Sequence, residues 1–182
     1  MKTLLIFIAL LPLGYAYYTL ESAIDPIKML YTTTGVGAIC LLLLSLVPST
    51  CKRVCGVNFL RYRKSIGLLS FVYALLHGCV FIVLDSEFDV VTIVEKSLKK
   101  PFIYVGVIAF IILLFMAFTS FKKLFARFST YHKAVYIALV LALLHSFWAQ
   151  KVAGMFEYGI VAVGIVLLGE RVWARRKNFK ID

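Results

Sequence analysis

The run Ser65–Leu84, SIGLLSFVYALLHGCVFIVL, restricts the possible folds more than any other stretch of the chain. From Gly67 to Leu84 it carries no formal charge, and a helix of about twenty such residues matches the hydrocarbon thickness of a bilayer. Near its far end sits His77. An imidazole in hydrocarbon costs free energy unless it is partnered, so an intramembrane histidine is a functional-site candidate by default. The chain has three histidines, and a second one, His145, lies in a similar apolar run.

Six apolar runs can be marked: Leu4–Leu20, Thr33–Val47, Ile66–Leu84, Phe102–Ser120, Ala134–Gln150 and Met155–Trp173. With 62% hydrophobic residues, 16% charged and a mean hydropathy of +0.94, the chain is not an ordinary soluble domain. The runs are continuous rather than alternating, which favours helices over a barrel. The expected fold is therefore an all-α membrane protein, a six-helix transmembrane bundle forming one domain over residues 1–182.

The connecting segments alternate in charge. Lys2 precedes the first run, and Glu21, Asp25 and Lys28 follow it. Lys52, Arg53, Arg61, Arg63 and Lys64 fill the second connection, and the third mixes Asp85, Glu87, Asp89 and Glu95 with Lys96, Lys99 and Lys100. Lys122, Lys123, Arg127 and Lys133 fill the fourth, and Arg171, Arg175, Arg176, Lys177 and Lys180 the tail. By the positive-inside rule both termini are cytoplasmic. The net charge of +11 then reflects topology rather than nucleic-acid binding. Lys2 and the apolar run behind it also resemble a signal peptide. The run continues through Tyr15, Tyr17 and Tyr18 without a small-x-small cleavage site, so a retained helix is expected.

This topology places His77 and His145 in the outer halves of their helices, at matched depth. Gly67, Ser70, Ala74 and His77 share one helix face, as do Ala134, Ala138, Ala142 and His145. Such stripes leave a slot for a flat macrocycle, or they let helices pack closely. Neutral imidazole binds zinc, copper and haem iron. A closed zinc site wants about four ligands, and Cys79 is turned away by about 200° of helix rotation. Two facing histidines suit one b-type haem, whose six-coordinate iron serves electron transfer. Each second imidazole nitrogen is expected to bond the carbonyl one turn back, Tyr73 and Leu141.

His132 lies thirteen residues before His145, about 20 Å lower at helical rise. It reads as an inner haem ligand, a proton acceptor at a quinol site, or a solvated interfacial residue. The position that a second haem would use on the third helix holds Arg63 or Lys64. Cys51 and Cys55 fall in a cytoplasmic connection as ordinary thiols, and no CxxCH occurs.

The runs RYRKSIGLLSFVYALLH, KKPFIYVGVIAFIILLFMAFTS and YHKAVYIALVLALLHSFWAQK resemble the haem-binding membrane subunits of the periplasmic protein-methionine-sulfoxide reductase system. That family belongs to the ferric-reductase-like transmembrane superfamily. The resemblance rests on Arg63, Gly67, Leu68, Tyr73, Ala74 and His77, on His132, and on Leu144, His145 and Trp148, with Thr119 and Ser120 closing the fourth helix. Its core covers residues 61–151. It implies a bacterial inner-membrane, multi-pass electron carrier that takes electrons from membrane quinol. These go through b haem to a periplasmic molybdopterin-dependent subunit that reduces oxidised methionine in envelope proteins.

The resemblance also implies haem-associated roles for all three histidines, with FMN as a further cofactor. Arg63 then contacts a quinol, a flavin phosphate or a haem propionate. No Gly-rich turn before a helix forms a phosphate cradle here. The segment after Trp173 is too short for flavin and nicotinamide domains, so the reductant is expected from a partner or the membrane. Two rivals are a ferric or cupric reductase subunit served by a separate flavoprotein, and a cofactor-free structural or transport bundle. Phe147, Trp148 and Lys151 are the expected electron exit.

Overall fold

The computed structural model describes residues 2–150, 152 and 154–179, and every regular element in them is helical. Lys151 and Lys180 lie outside the described residues. All six predicted apolar runs fall on helices. The first is α1 (Lys2–Thr19), the second α2 (Pro26–Val54) and the third α3 (Leu60–Cys79), which continues as a π-helical turn over Val80–Asp85. The fourth is α5 (Pro101–Phe118), the fifth α7 (Val135–Ala149) and the last α8 (Met155–Phe179). Two short helices occupy connections: α4 (Val90–Lys99) and α6 (Lys122–Phe128), the latter joined to α7 by a 3-10 turn over Ser129–Ala134.

Among the described residues, four helical stretches are long and apolar enough to cross a bilayer: Pro26–Val54, Leu60–Asp85, Pro101–Phe118 and Lys123–Ala149. On α5, Val107, Ile108 and Ile111 are each about half exposed, the surface expected where lipid rather than water is the solvent.

Helix boundaries follow local chemistry. Asp25 caps α2 by accepting from the Lys28 amide at 2.9 Å, and Pro26 takes the first helical position, where no amide is needed. Pro101 opens α5 in the same way. Asp89 caps α4, accepting from the Val91 and Thr92 amides at 3.1 and 3.2 Å and from the Thr92 hydroxyl at 2.5 Å. The Thr92 side-chain bond, with the backbone bonds beside it, holds the Asp89 carboxyl below its ordinary value of 3.8. A depressed carboxylate stabilises the fold above that ordinary value and loses its contribution as pH falls through the lowered one. Amide exchange at Val91–Ile93 is therefore expected to speed up below pH 3.8, and Asp89→Asn to remove that pH dependence while keeping the cap. An acid response that survives Asp89→Asn assigns it elsewhere.

The bundle is built from two extensive helix pairs, α2 with α3 and α5 with α7. They meet through α3 against α5 and α2 against α7, while α1 lies on α2 and α3, and α8 on α2 and α7. The core where the pairs join contains Ile39, Leu42, Leu43 and Leu46 from α2, Leu113 from α5, Ala138, Leu139 and Leu143 from α7, and Ile160 from α8. Polar ties gather at the basic end. Arg53 makes a two-pronged ion pair with Glu170, at 2.7 and 2.5 Å. With Arg53 still 31% exposed, the pair contributes about 1 kcal/mol at most. Arg171 reaches the Tyr136 hydroxyl and Ser49, and Lys64 donates to the Ser120 carbonyl. The second and fourth connections and the start of the tail thus lie at one end of the bundle.

Candidate functional site

His77 and His145 meet where the two helix pairs come together. Their ring centroids are 6.0 Å apart, with the ring planes 89° to one another, and both residues are half-buried. Each ring is held by the partner helix of its own pair. Nδ1 of His77 faces the Thr34 hydroxyl of α2 at 3.3 Å, and that hydroxyl already donates to the Leu30 carbonyl at 2.6 Å. With Thr34 as the acceptor, the tautomer protonated at Nδ1 leaves the lone pair of His77 on Nε2. Nδ1 of His145 faces the Phe102 carbonyl of α5 at 2.7 Å. A carbonyl only accepts, so here too the lone pair is on Nε2.

These supports correct the sequence expectation. The carbonyls of Tyr73 and Leu141, one turn back on the same helices, are not the partners found for the imidazoles. Help comes instead from α2 and α5. Glycine makes the approach possible: a Cβ on Gly35 would lie 3.1 Å from Cε1 of His77, and one on Gly106 would lie 2.6 Å from Nδ1 of His145. Gly106 also stands one turn after Phe102, so its missing side chain uncovers the carbonyl that His145 uses. A glycine inside an uninterrupted apolar helix lowers helix propensity and serves no turn. That was the available signal for α2 and α5, and the histidine-centred reading passed over it.

Further groups complete the surroundings. The edge of Tyr31 faces His77, with centroids 5.4 Å apart, and its hydroxyl lies near the Asp85 carboxylate. Phe102 lies against His145 at 5.7 Å. Two members of the small-residue stripes serve helix packing: Ser70 is fully buried and donates to the Ala38 carbonyl of α2 at 2.8 Å, and Ala138 is fully buried in the core. Tyr73 packs its ring on Gly37 and bonds the Ala9 carbonyl, tying α1 to the site. Ser86 Oγ is the one buried side-chain polar atom without a hydrogen-bond partner among the described residues. It stands at the end of the turn that follows His77.

The donor set passes a test of fit for haem. Two imidazoles from facing helices, with centroids 6.0 Å apart, are the donor type that would hold a haem iron. Among the described residues no cluster of three or more His, Cys, Asp or Glu side chains stands ready for another metal.

His132 is arranged differently. It sits in the 3-10 turn before α7, not on the regular α-helix assumed in extrapolating from His145. Its Nε2 faces the Thr119 hydroxyl at 3.0 Å, which donates to the Phe115 carbonyl at 2.8 Å. Nε2 of His132 therefore carries the proton, leaving the lone pair on Nδ1. Arg63, half-buried at the start of α3, lies within electrostatic range of His132. Of the sequence-predicted residues, His77 and His145 are brought together, whereas His132 packs its ring on Phe125, apart from them.

At the end away from the basic loops, a recess of about 550 Å³ is lined by Lys99, Lys100, Pro101 and Phe102, with Phe147, Trp148, Gln150 and Tyr158 across from them. It adjoins the carbonyl that holds His145. Two of the three residues expected at an electron exit, Phe147 and Trp148, line it.

A family profile described as "Ferric reductase like transmembrane component" matches residues 34–143, which include His77 and His132. Curated relatives named protein-methionine-sulfoxide reductase heme-binding subunit MsrQ are similar. That of Brucella anthropi is 36% identical over 131 residues, 70% of this chain and 60% of the relative. The Agrobacterium fabrum protein is 33% identical over 152 residues, 81% of this chain and 71% of that one. The Herminiimonas arsenicoxydans protein is 33% identical over 191 aligned positions, 98% of this chain and 88% of its own length. No solved structure matches. On these similarities the chain is a multi-pass membrane protein that belongs to the ferric reductase-like transmembrane family and, within it, to the MsrQ group.

Proposed function

We propose that this chain is the membrane electron-transfer subunit of a protein-methionine-sulfoxide reductase system, holding one b-type haem between His77 and His145. The observation that carries the reading is the pair of imidazoles at 6.0 Å, both with Nδ1 committed and Nε2 left to bind metal. When bound between His77 and His145, such a haem would supply one-electron transfer. The protein's part is to fix both tautomers from α2 and α5, exclude water with the core, and hold Phe102 and the aromatic recess beside His145.

On this reading six helices span the bacterial inner membrane, with both termini cytoplasmic. Electrons enter from quinol and leave at the recess end toward a soluble periplasmic molybdopterin-dependent subunit, which reduces the sulfoxide. His132 with Arg63 marks the donor side, its Nδ1 lone pair suited to accept a quinol proton. FMN stands as a cofactor on family grounds alone.

The purified protein is expected to show a low-spin b-type spectrum. A colourless protein without a Soret band overturns the proposal in favour of a cofactor-free bundle. Reoxidation of the dithionite-reduced protein by the molybdopterin subunit supports the assigned direction of flow. Reoxidation only by chelated ferric iron makes the chain a ferric reductase subunit instead.

A further inference from the structure

Helix α4 has two unlike sides. Ile93, Lys96 and Ser97 are half-buried toward the bundle, and Lys96 makes an ion pair with Asp85 at 3.1 Å and donates to the Asp85 carbonyl at 2.6 Å. The other side exposes Val90, Val91, Val94 and Leu98, at 69, 65, 50 and 77%, with Phe88 just before the helix at 66%. Positions 90, 91, 94 and 98 form one apolar stripe on a helix. Glu95 and Lys99 pair with each other at 3.0 Å on the polar flank.

The connections decide what covers this stripe. Residues 86–89 join α4 to the turn that ends the Leu60–Asp85 span, and Lys100 alone joins it to the Pro101–Phe118 span. A ten-residue helix tethered so closely between two spans at one end of the bundle stays at the bilayer surface. An apolar stripe with a charged flank is the pattern of a helix lying in the headgroup layer. Coverage by a soluble partner would require the stripe to face water whenever that partner is away.

We infer that α4 is an in-plane interfacial helix whose Val90, Val91, Val94 and Leu98 are seated in the lipid headgroup and upper acyl layer, so that the bilayer itself is the partner of this face. The inference rests on the membrane topology and is independent of the haem assignment. Seated this way, α4 fixes the depth of Asp85 through Lys96 and of Phe102 through the short Lys100–Pro101 link.

The test uses the full chain in phosphatidylglycerol/phosphatidylethanolamine nanodiscs. Nitroxide labels go on Val94→Cys, Leu98→Cys, Glu95→Cys and Lys99→Cys, with Cys40, Cys51, Cys55 and Cys79 replaced by serine. The ratio of oxygen to nickel-chelate accessibility is expected to be several-fold higher at 94 and 98 than at 95 and 99. Equal ratios at all four positions overturn the inference. A photoreactive benzoylphenylalanine at position 94 in the chain with its native cysteines gives a second readout. Adducts of lipid mass support the inference, and adducts to a second copy or another protein overturn it.

Discussion

Replacing either His77 or His145 by alanine is expected to abolish haem retention, while His132→Ala keeps most of it. The asymmetry comes from placement: His77 and His145 face each other at 6.0 Å, and the third histidine, His132, stands apart from them. Thr34 and Phe102 hold His77 and His145 by Nδ1, whereas Thr119 holds His132 by Nε2. Losing a group that merely orients a metal ligand costs roughly 10–100-fold in affinity, and losing the ligand itself exceeds that. His132→Ala forfeits one hydrogen bond near the basic end, about 1 kcal/mol. The measurement is the haem-to-protein ratio of each variant at matched monodispersity. Full haem content in both His77→Ala and His145→Ala would sink the paired site. A loss in His132→Ala equal to theirs would place an axial ligand at the basic end.

Gly106→Ala is expected to deplete haem nearly as severely, although it changes no candidate ligand. The added carbon would lie 2.6 Å from Nδ1 and 2.7 Å from Cε1 of His145, closer than non-bonded atoms tolerate. Either the imidazole leaves the Phe102 carbonyl or α5 moves away from α7. Overpacking of this kind costs about 1–3 kcal/mol, equivalent to roughly 5- to 150-fold in affinity. Gly35→Ala meets Cε1 of His77 at 3.1 Å, a contact that a few tenths of an ångström relieve, so its effect is smaller. Gly67→Ala, with no atom within 4 Å, is the neutral comparison. Equal haem content in Gly106→Ala and Gly67→Ala would show that the ring does not need the Phe102 carbonyl.

Much of the architecture was legible because continuous apolar runs write helices directly, and each of the six runs lies on one. The juxtaposition of His77 and His145 was also legible, since charge alternation set the direction of each run and direction set relative depth. The six-span count rested on runs at the two ends, carried by α1 and α8, which lie outside the four stretches with clear spanning character. Helix α4 was not anticipated, because ten residues of mixed polarity resemble a charged loop until their periodicity is weighed. The partners of the imidazoles were missed for a different reason. A carbonyl such as Phe102 O gives no signal in its own side chain, and only Gly106 one turn later reveals that it is uncovered. The stripes of Ser70 and Ala138 read as a slot, yet close helix contact uses the same small residues.

The division of the bundle into two pairs has a consequence for biogenesis. Each histidine carries its orienting partner inside its own pair, His77 with Thr34 and His145 with Phe102. Each half of the site can therefore mature before the halves engage. The shared core around Leu42, Leu46 and Leu139 joins the pairs into the closed bundle, and His77 meets His145 across the same junction. A group that binds only the closed form stabilises it by mass action. On the proposed reading, cofactor supply sets how strongly newly made protein favours the closed form.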